Sequence, residues 1–251
     1  MKKIWVLTLG LLSLFLLVGC ATYQNIYDNL RPDVYAPELT LTESEFVEMV
    51  KILKSSSVAI SNTYTEGLES VIVRGSAVIV KKEASGFGFI YHAITTQSVV
   101  TKSLVVKVLV TPTTQVDGSV LNPKLTYASD EDIAVVRFQS NEDLTAVEML
   151  PLEDISSIDT RQIFSIGTPI SNGYYNYLSN PAAIMGIQGN ILVHGTNLNY
   201  GMIGSPLYLK ETGQLVGINT YYSTTIGGRP EVLINHAIVI NQVINLTESY
   251  V

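Results

Sequence analysis

Three stretches of this 251-residue chain carry side chains able to do nucleophilic or acid–base chemistry: Tyr91–Val100, Asp130–Arg137 and Asn199–Leu207. The first offers the Ser98 hydroxyl and the second the Asp132 carboxylate. The third offers the Ser205 hydroxyl, within Gly204-Ser205-Pro206. A hydroxyl attacks only when something takes its proton, which near neutral pH means an imidazole held in one tautomer by a carboxylate. The chain has three histidines, His92, His194 and His236. Each lies on or beside a β-type run, and a structural or surface role is expected for all three. Cys20 is the only cysteine, which excludes an internal disulfide, a second thiolate and a thiolate metal site. No metal or cofactor is expected.

The elements that must position these groups read as short strands. From Ser57 onward, β-branched and aromatic runs alternate with Gly, Asn, Asp, Ser and Pro, as in Val71-Ile72-Val73, Ala77-Val78-Ile79-Val80, Leu104–Val110, Ile133–Phe138, Gln162–Ile166 and Leu215–Ile218. Further such runs end at Ala237-Ile238-Val239-Ile240. Many short strands with turn signals between them predict an all-β barrel or sandwich. No later segment sustains apolar positions at helical spacing. A polar cluster at Asn141–Ile158 divides the β region into two similar halves. Before the strands, Thr42 and Glu45 form a capping box, and Leu41 with Phe46 a hydrophobic staple. Phe46, Met49, Val50 and Leu53 then give one apolar stripe, which predicts a helix packed on the domain.

The N-terminal end has a different character. Lys2 and Lys3 precede an apolar run, Ile4–Val18, that ends in Leu17-Val18-Gly19-Cys20. This pattern resembles the bacterial lipobox, in which the signal peptide is cut before a cysteine that receives a diacylglycerol. The expected organisation is therefore a lipoprotein signal peptide over 1–19, a lipidated tether over 20–40 containing Pro32 and Pro37, and a folded domain over 41–251. Within that domain the helix is expected at 41–56, a first half at 57–145 and a second at 146–251. Acyl chains on Cys20 would anchor the chain to the bacterial membrane at its extracytoplasmic face, each buried CH₂ contributing about 0.8 kcal/mol. The formal net charge of −7 argues against nucleic acid or an anionic lipid surface as a partner, since both are bound through basic patches.

Taken together and in order, the three chemical stretches resemble the active-site segments of trypsin-fold serine proteases, in the HtrA/DegP-like branch. There they read like Thr-Asn-x-His-Val-Val, Asp-x-Asp-Ile/Leu-Ala-Val-Leu-Lys and Asn-x-Gly-Asn-Ser-Gly-Gly-Pro-Leu. Collinear segments extend the likeness over residues 57–243: Gly75-Ser76-Ala77-Val78-Ile79-Val80, Phe164-Ser165-Ile166-Gly167-Thr168-Pro169, Gly213–Thr220 and Asn235–Ile240. The resemblance implies two six-stranded antiparallel β-barrels preceded by a short N-terminal helix.

The resemblance also assigns triad slots, and two hold residues unfit for hydrolysis. The base slot holds Ser98, the acid is kept as Asp132, and the nucleophile slot holds Ile203. An isoleucine has no lone pair, and a serine hydroxyl is no base near neutral pH. By analogy with triad deletions, either loss costs on the order of 10⁴ to 10⁶ in kcat. Gly195 stands where the branch carries an aspartate, and Ser205 where it carries a glycine. What the resemblance implies could persist is recognition. The N–H groups of Gly201 and Ile203 would form an anion-accepting hollow. Ile218, Tyr221 and Tyr222 would line an edge that pairs with an extended peptide. The expected function is thus a membrane-anchored, inactive protease-fold module that binds peptide or protein. The alternative is an active endopeptidase using Ser205 as a displaced nucleophile.

Overall fold

The computed structural model describes residues 41–169, 176–222 and 235–251. The expected signal peptide, Cys20 and the tether lie outside the described residues. Helix α1 (Glu43–Lys54) begins at the capping box seen in the sequence. Thr42 donates its N–H to Glu45 Oε2 at 2.8 Å, and its Oγ1 accepts the Glu45 N–H at 3.3 Å, so two orphan donors of the first turn are satisfied reciprocally. Glu43 and Glu45 sit at the positive end of the helix dipole, Lys51 and Lys54 at the negative end. Val50 and Leu53 are buried, and the Phe46 ring meets Phe164 edge-on at 5.4 Å. The helix therefore packs on the second half of the domain, although the first strand follows it directly.

The first half is a closed barrel of six antiparallel strands in the order β1-β2-β3-β6-β5-β4. They are β1 (Ser57–Glu66), β2 (Glu69–Ser85), β3 (Gly88–Thr95), β4 (Val105–Leu109), β5 (Gln115–Val120) and β6 (Ala134–Ser140). Alternate residues point inward, so Ile60, Ile79, Tyr91, Val108, Val136 and Phe138 meet in one apolar cluster. Tyr91 stacks on Phe138 at 5.2 Å, and its hydroxyl leaves the core by donating to the Glu142 carbonyl at 2.7 Å. The sequence did not reveal β5, whose Gln-Val-Asp-Gly-Ser-Val is poor in strand formers. Its Gly118 lies against the Val108 and Val136 side chains, where a Cβ would collide.

The second half closes in the same way, in the order β11-β12-β13-β10-β9-β7, with β7 returning to pair with β11. These are β7 (Gln162–Gly167), β9 (Ala182–Gln188), β10 (Ile191–His194), β11 (Pro206–Leu209), β12 (Leu215–Tyr222) and β13 (Asn235–Val239). The two-residue β8 (Tyr177–Leu178) adds to the outside of β7. The larger apolar cluster belongs to this barrel and also takes in Val78, Ile94 and Ile133, which face outward from the first barrel and cement the two together. This is the expected all-β fold of two six-stranded barrels with a leading helix.

One expectation is corrected. The last β run was read through Ile240 with no later helix, but α3 (Ile240–Thr247) starts there. Ile240, Val243 and Thr247 are its buried positions. Two turns are too few for a helical period to stand out beside a strand that shares the same apolar residues.

Candidate functional site

The base slot lies on a single turn of helix, α2 (Gln97–Val100), immediately after β3. Asp132 follows a 3₁₀ turn (Ser129–Glu131) just before β6. Ser98 donates its backbone N–H to Asp132 Oδ1 at 2.8 Å and its hydroxyl to Oδ2 at 3.0 Å. The pair is fixed from behind by Gln97, whose buried amide donates to the carbonyls of Asn122 and Ile133 at 2.7 and 2.9 Å. Asn122 in turn accepts the Val135 N–H at 2.7 Å. Burial raises the Asp132 carboxyl above its ordinary range, and the two bonds from Ser98 oppose this.

Sequence reasoning missed Tyr127, on the loop between β5 and β6. Burial raises the pKa of its phenol, the nearby Asp132 charge raises it further, and the Ser98 side chain opposes both. A half-buried phenol thus lies near Ser98 and Asp132. No spacing or motif marks Tyr127, because its nearness to them depends on how the loop between β5 and β6 folds.

The nucleophile slot sits on a tight loop, residues 199–205, between β10 and β11. Met202 and Ser205 donate their N–H groups to Asn199 and Met202 carbonyls at 3.0 Å each. Gly201 and Gly204 adopt φ of 92° and 84°, a region that disfavours any side chain. Gly204 is doubly required, since a Cβ there would run into the Ser76 carbonyl and Thr95 Oγ1. Ser76, on β2, braces the loop from the first barrel. Its hydroxyl donates to the Gly201 carbonyl at 2.7 Å and its N–H to the Ile203 carbonyl at 2.8 Å. The Ile203 side chain packs against the first barrel's apolar cluster. Among the described residues, the N–H groups of Gly201 and Ile203 donate to no acceptor.

Ser205 lies apart from Ser98 and Asp132, inside the second barrel, and is fully buried. Its hydroxyl meets Ser165 Oγ at 2.9 Å and accepts from Asn219 Nδ2 at 3.0 Å. Asn219 is the hub, because the same amide also bonds Ser165 Oγ and the Ser205 carbonyl. With its nitrogen so committed, Asn219 Oδ1 accepts from His194 Nε2 at 2.9 Å. His194 is therefore the neutral Nε2–H tautomer, with Nδ1 accepting from the Thr196 hydroxyl at 2.8 Å. Burial pulls its pKa down to about 4. A carboxamide that donates to Ser205 takes no proton from it, so this chain of bonds holds Ser205 without activating it.

The other candidates are scattered. His92 is buried on β3 of the first barrel, and His236 is half-buried on β13 opposite Val193. Ile218 is the last β12 residue paired with β11, opposite Pro206. Asn219 still donates its N–H to the Ser205 carbonyl at 2.9 Å and accepts the Gly204 N–H at 2.7 Å, and the strand then continues to Tyr222 alongside β13. The side chains of Tyr221 and Tyr222 lie outside the described residues. No group of three or more His, Cys, Asp or Glu among the described residues could hold a metal ion. No described helix is long and apolar enough to cross a membrane.

Compared with known families, residues 75–218 match the model of the trypsin-like peptidase domain. The match starts beside the Ser76 brace, spans Ser98, Asp132 and the 199–205 loop, and ends at Ile218. No curated protein matches the chain.

Proposed function

This chain belongs to the trypsin-like peptidase family, whose domain covers more than half of its length, and from that premise we propose that it is a lipid-anchored, HtrA-like pseudoprotease that binds extended peptide or protein segments without cutting them. The observation that carries the reading is the pairing of Ser98 with Asp132 opposite an isoleucine at 203. The acid keeps its place and its two acceptor atoms, but both are committed to a residue that is no base. Position 203, to which the resemblance assigns the attacking hydroxyl, holds an isoleucine.

Recognition has its own support. The Gly201 and Ile203 N–H groups stay unengaged among the described residues, which suits an anionic or carbonyl oxygen. The β12 edge beyond Asn219 has no β11 partner, and an extended segment could pair there by strand addition. Membrane attachment rests on Cys20 and the apolar run before it, and a tethered binding domain would act on partners at the extracytoplasmic surface. Catalysis by Ser205 is disfavoured by its complete burial and by its lack of a base.

The test pairs two measurements on the full chain. A fluorophosphonate probe leaves it unlabelled, whereas an extended-peptide library yields binders whose affinity falls in Tyr221→Ala. Covalent labelling that disappears in Ser205→Ala would overturn the inactive reading. An empty library screen would overturn the binding one.

A further inference from the structure

On the outer wall of the first barrel, three basic residues stand side by side on neighbouring strands. Lys81 on β2 lies opposite His92 on β3, and His92 lies opposite Arg137 on β6. Residues paired in this way project from the same face, with Cβ atoms roughly 4.5–5.5 Å apart. Tyr91 and Ala93 belong to the barrel interior, so His92 between them points outward. Like charges in such a row repel, and the chain as a whole is acidic. Yet the row is only partly compensated. Lys81 pairs with Glu83 at 3.3 Å and donates to the Val251 carbonyl at 3.1 Å. Arg137 forms no ion pair among the described residues.

His92 adds an independent observation. Its side chain is sunk to 7 % exposure on this outward face, and its Nδ1 is sealed without a hydrogen-bond partner. A sealed donor without a partner costs more than a sealed acceptor in an apolar wall, so Nδ1 is the bare nitrogen and Nε2 carries the proton. The ring then keeps one N–H, on Nε2, on the same strand face as its cross-strand neighbours Lys81 and Arg137. The charged groups facing it are Lys81 and Arg137, which disfavour its protonation, and Glu83, which favours it.

We propose that Lys81, His92 and Arg137 form a binding site for a phosphate-type oxyanion, outside the peptidase cleft. The Arg137 guanidinium would hold the anion by two parallel N–H bonds, the Nε2–H of His92 would supply a third, and Lys81 would add charge. The neutral imidazole needs no change of protonation to take part. Free phosphate and a phospholipid headgroup present the same chemistry to the row.

The test uses the full chain in a neutral detergent with ring-¹⁵N-labelled histidine, titrated with inorganic phosphate against chloride at constant ionic strength. The His92 Nε2 signal is expected to shift saturably while His194 stays still, and Arg137→Gln is expected to weaken binding at least tenfold. Lys81→Gln should weaken it less. A shift that never saturates, or one unchanged in Arg137→Gln, overturns the site. A second arm presents phosphatidylglycerol or phosphatidylcholine vesicles. Displacement of phosphate by the former alone assigns the headgroup as the source, and displacement by neither, with phosphate still bound, assigns the free anion. These readouts involve none of the residues assigned to the cleft, so their failure leaves the peptide-binding reading untouched.

Discussion

Ser98 engages Asp132 through both its backbone N–H and its hydroxyl, at 2.8 and 3.0 Å. The backbone bond requires only the turn of α2, so any residue at 98 would make it. The hydroxyl bond is what serine adds, and it satisfies a buried carboxylate that an apolar side chain would leave short of donors. The pairing thus holds Asp132 against the turn of α2.

Rebuilding the triad tests how much of the peptidase geometry this pairing preserves. Ser98→His with Ile203→Ser supplies both groups that the proposed reading finds missing, but the imidazole must enter space near the Tyr127 phenol. The double variant is therefore expected to react slowly with a fluorophosphonate. Adding Tyr127→Ala should raise the labelling rate at least about tenfold, a small part of the 10³ or more that a working triad supplies. Neither single variant should label, which is checked by mass spectrometry of the intact chain. Equal rates for the double and triple variants would show that Tyr127 does not occupy the imidazole's place.

Gly204 marks a second dependence on geometry. A methyl group there meets the Ser76 carbonyl and Thr95 Oγ1 while the backbone holds φ at 84°. Gly204→Ala is expected to cost at least ~3 kcal/mol, combining strain with overpacking between the barrels. Urea denaturation measures it. The same substitution at Gly186, which has nothing within 4 Å of a Cβ and no positive φ, should change stability little.

The sequence carried the barrels because their inward residues are β-branched or aromatic at every second position, and it carried α1 because Thr42 and Glu45 are local to each other. It also pointed to the loop at 199–205 and to Asp132, through their resemblance to active-site segments of the family. It did not carry β5, where Gly118 is small for a reason that lies on two other strands. Nor did it carry α3, too short to show a period, or Tyr127, which comes near Ser98 and Asp132 only through the fold. Ser205 was legible as a hydroxyl in a glycine's position. Its burial was not, because that depends on Asn219, Ser165 and His194 meeting inside the second barrel.

Asn219 is the residue on which that interior depends. Its amide serves Ser165, the Ser205 hydroxyl, the Ser205 carbonyl and His194 together. Asn219→Ala leaves each partner buried and short of a bond, and a loss of roughly 3–4 kcal/mol is expected. Ser205→Ala removes one member and leaves the hub, with an expected loss of about 1 kcal/mol. The two should be strongly non-additive, so the double variant should be little less stable than Asn219→Ala alone. Urea unfolding of the four proteins gives the coupling directly.

His194 ties this network to pH. Its pKa is lowered to about 4 in the folded chain, against 6.5 ordinarily, because burial disfavours the imidazolium and Asn219 only partly offsets this. Between those values the unfolded chain binds a proton that the native one refuses. Stability is therefore lost as pH falls from about 6.5 toward about 4, by on the order of 3 kcal/mol at the lower limit. The raised carboxyl of Asp132 acts in the opposite sense, since the native chain then takes up a proton more readily than the unfolded one. His194→Gln removes the first effect and leaves the second. Its urea midpoint should be lower than wild type at pH 7, where the buried network is disturbed, yet fall far less between pH 7 and pH 4.5. Parallel slopes in the two proteins would assign the acid sensitivity to other groups.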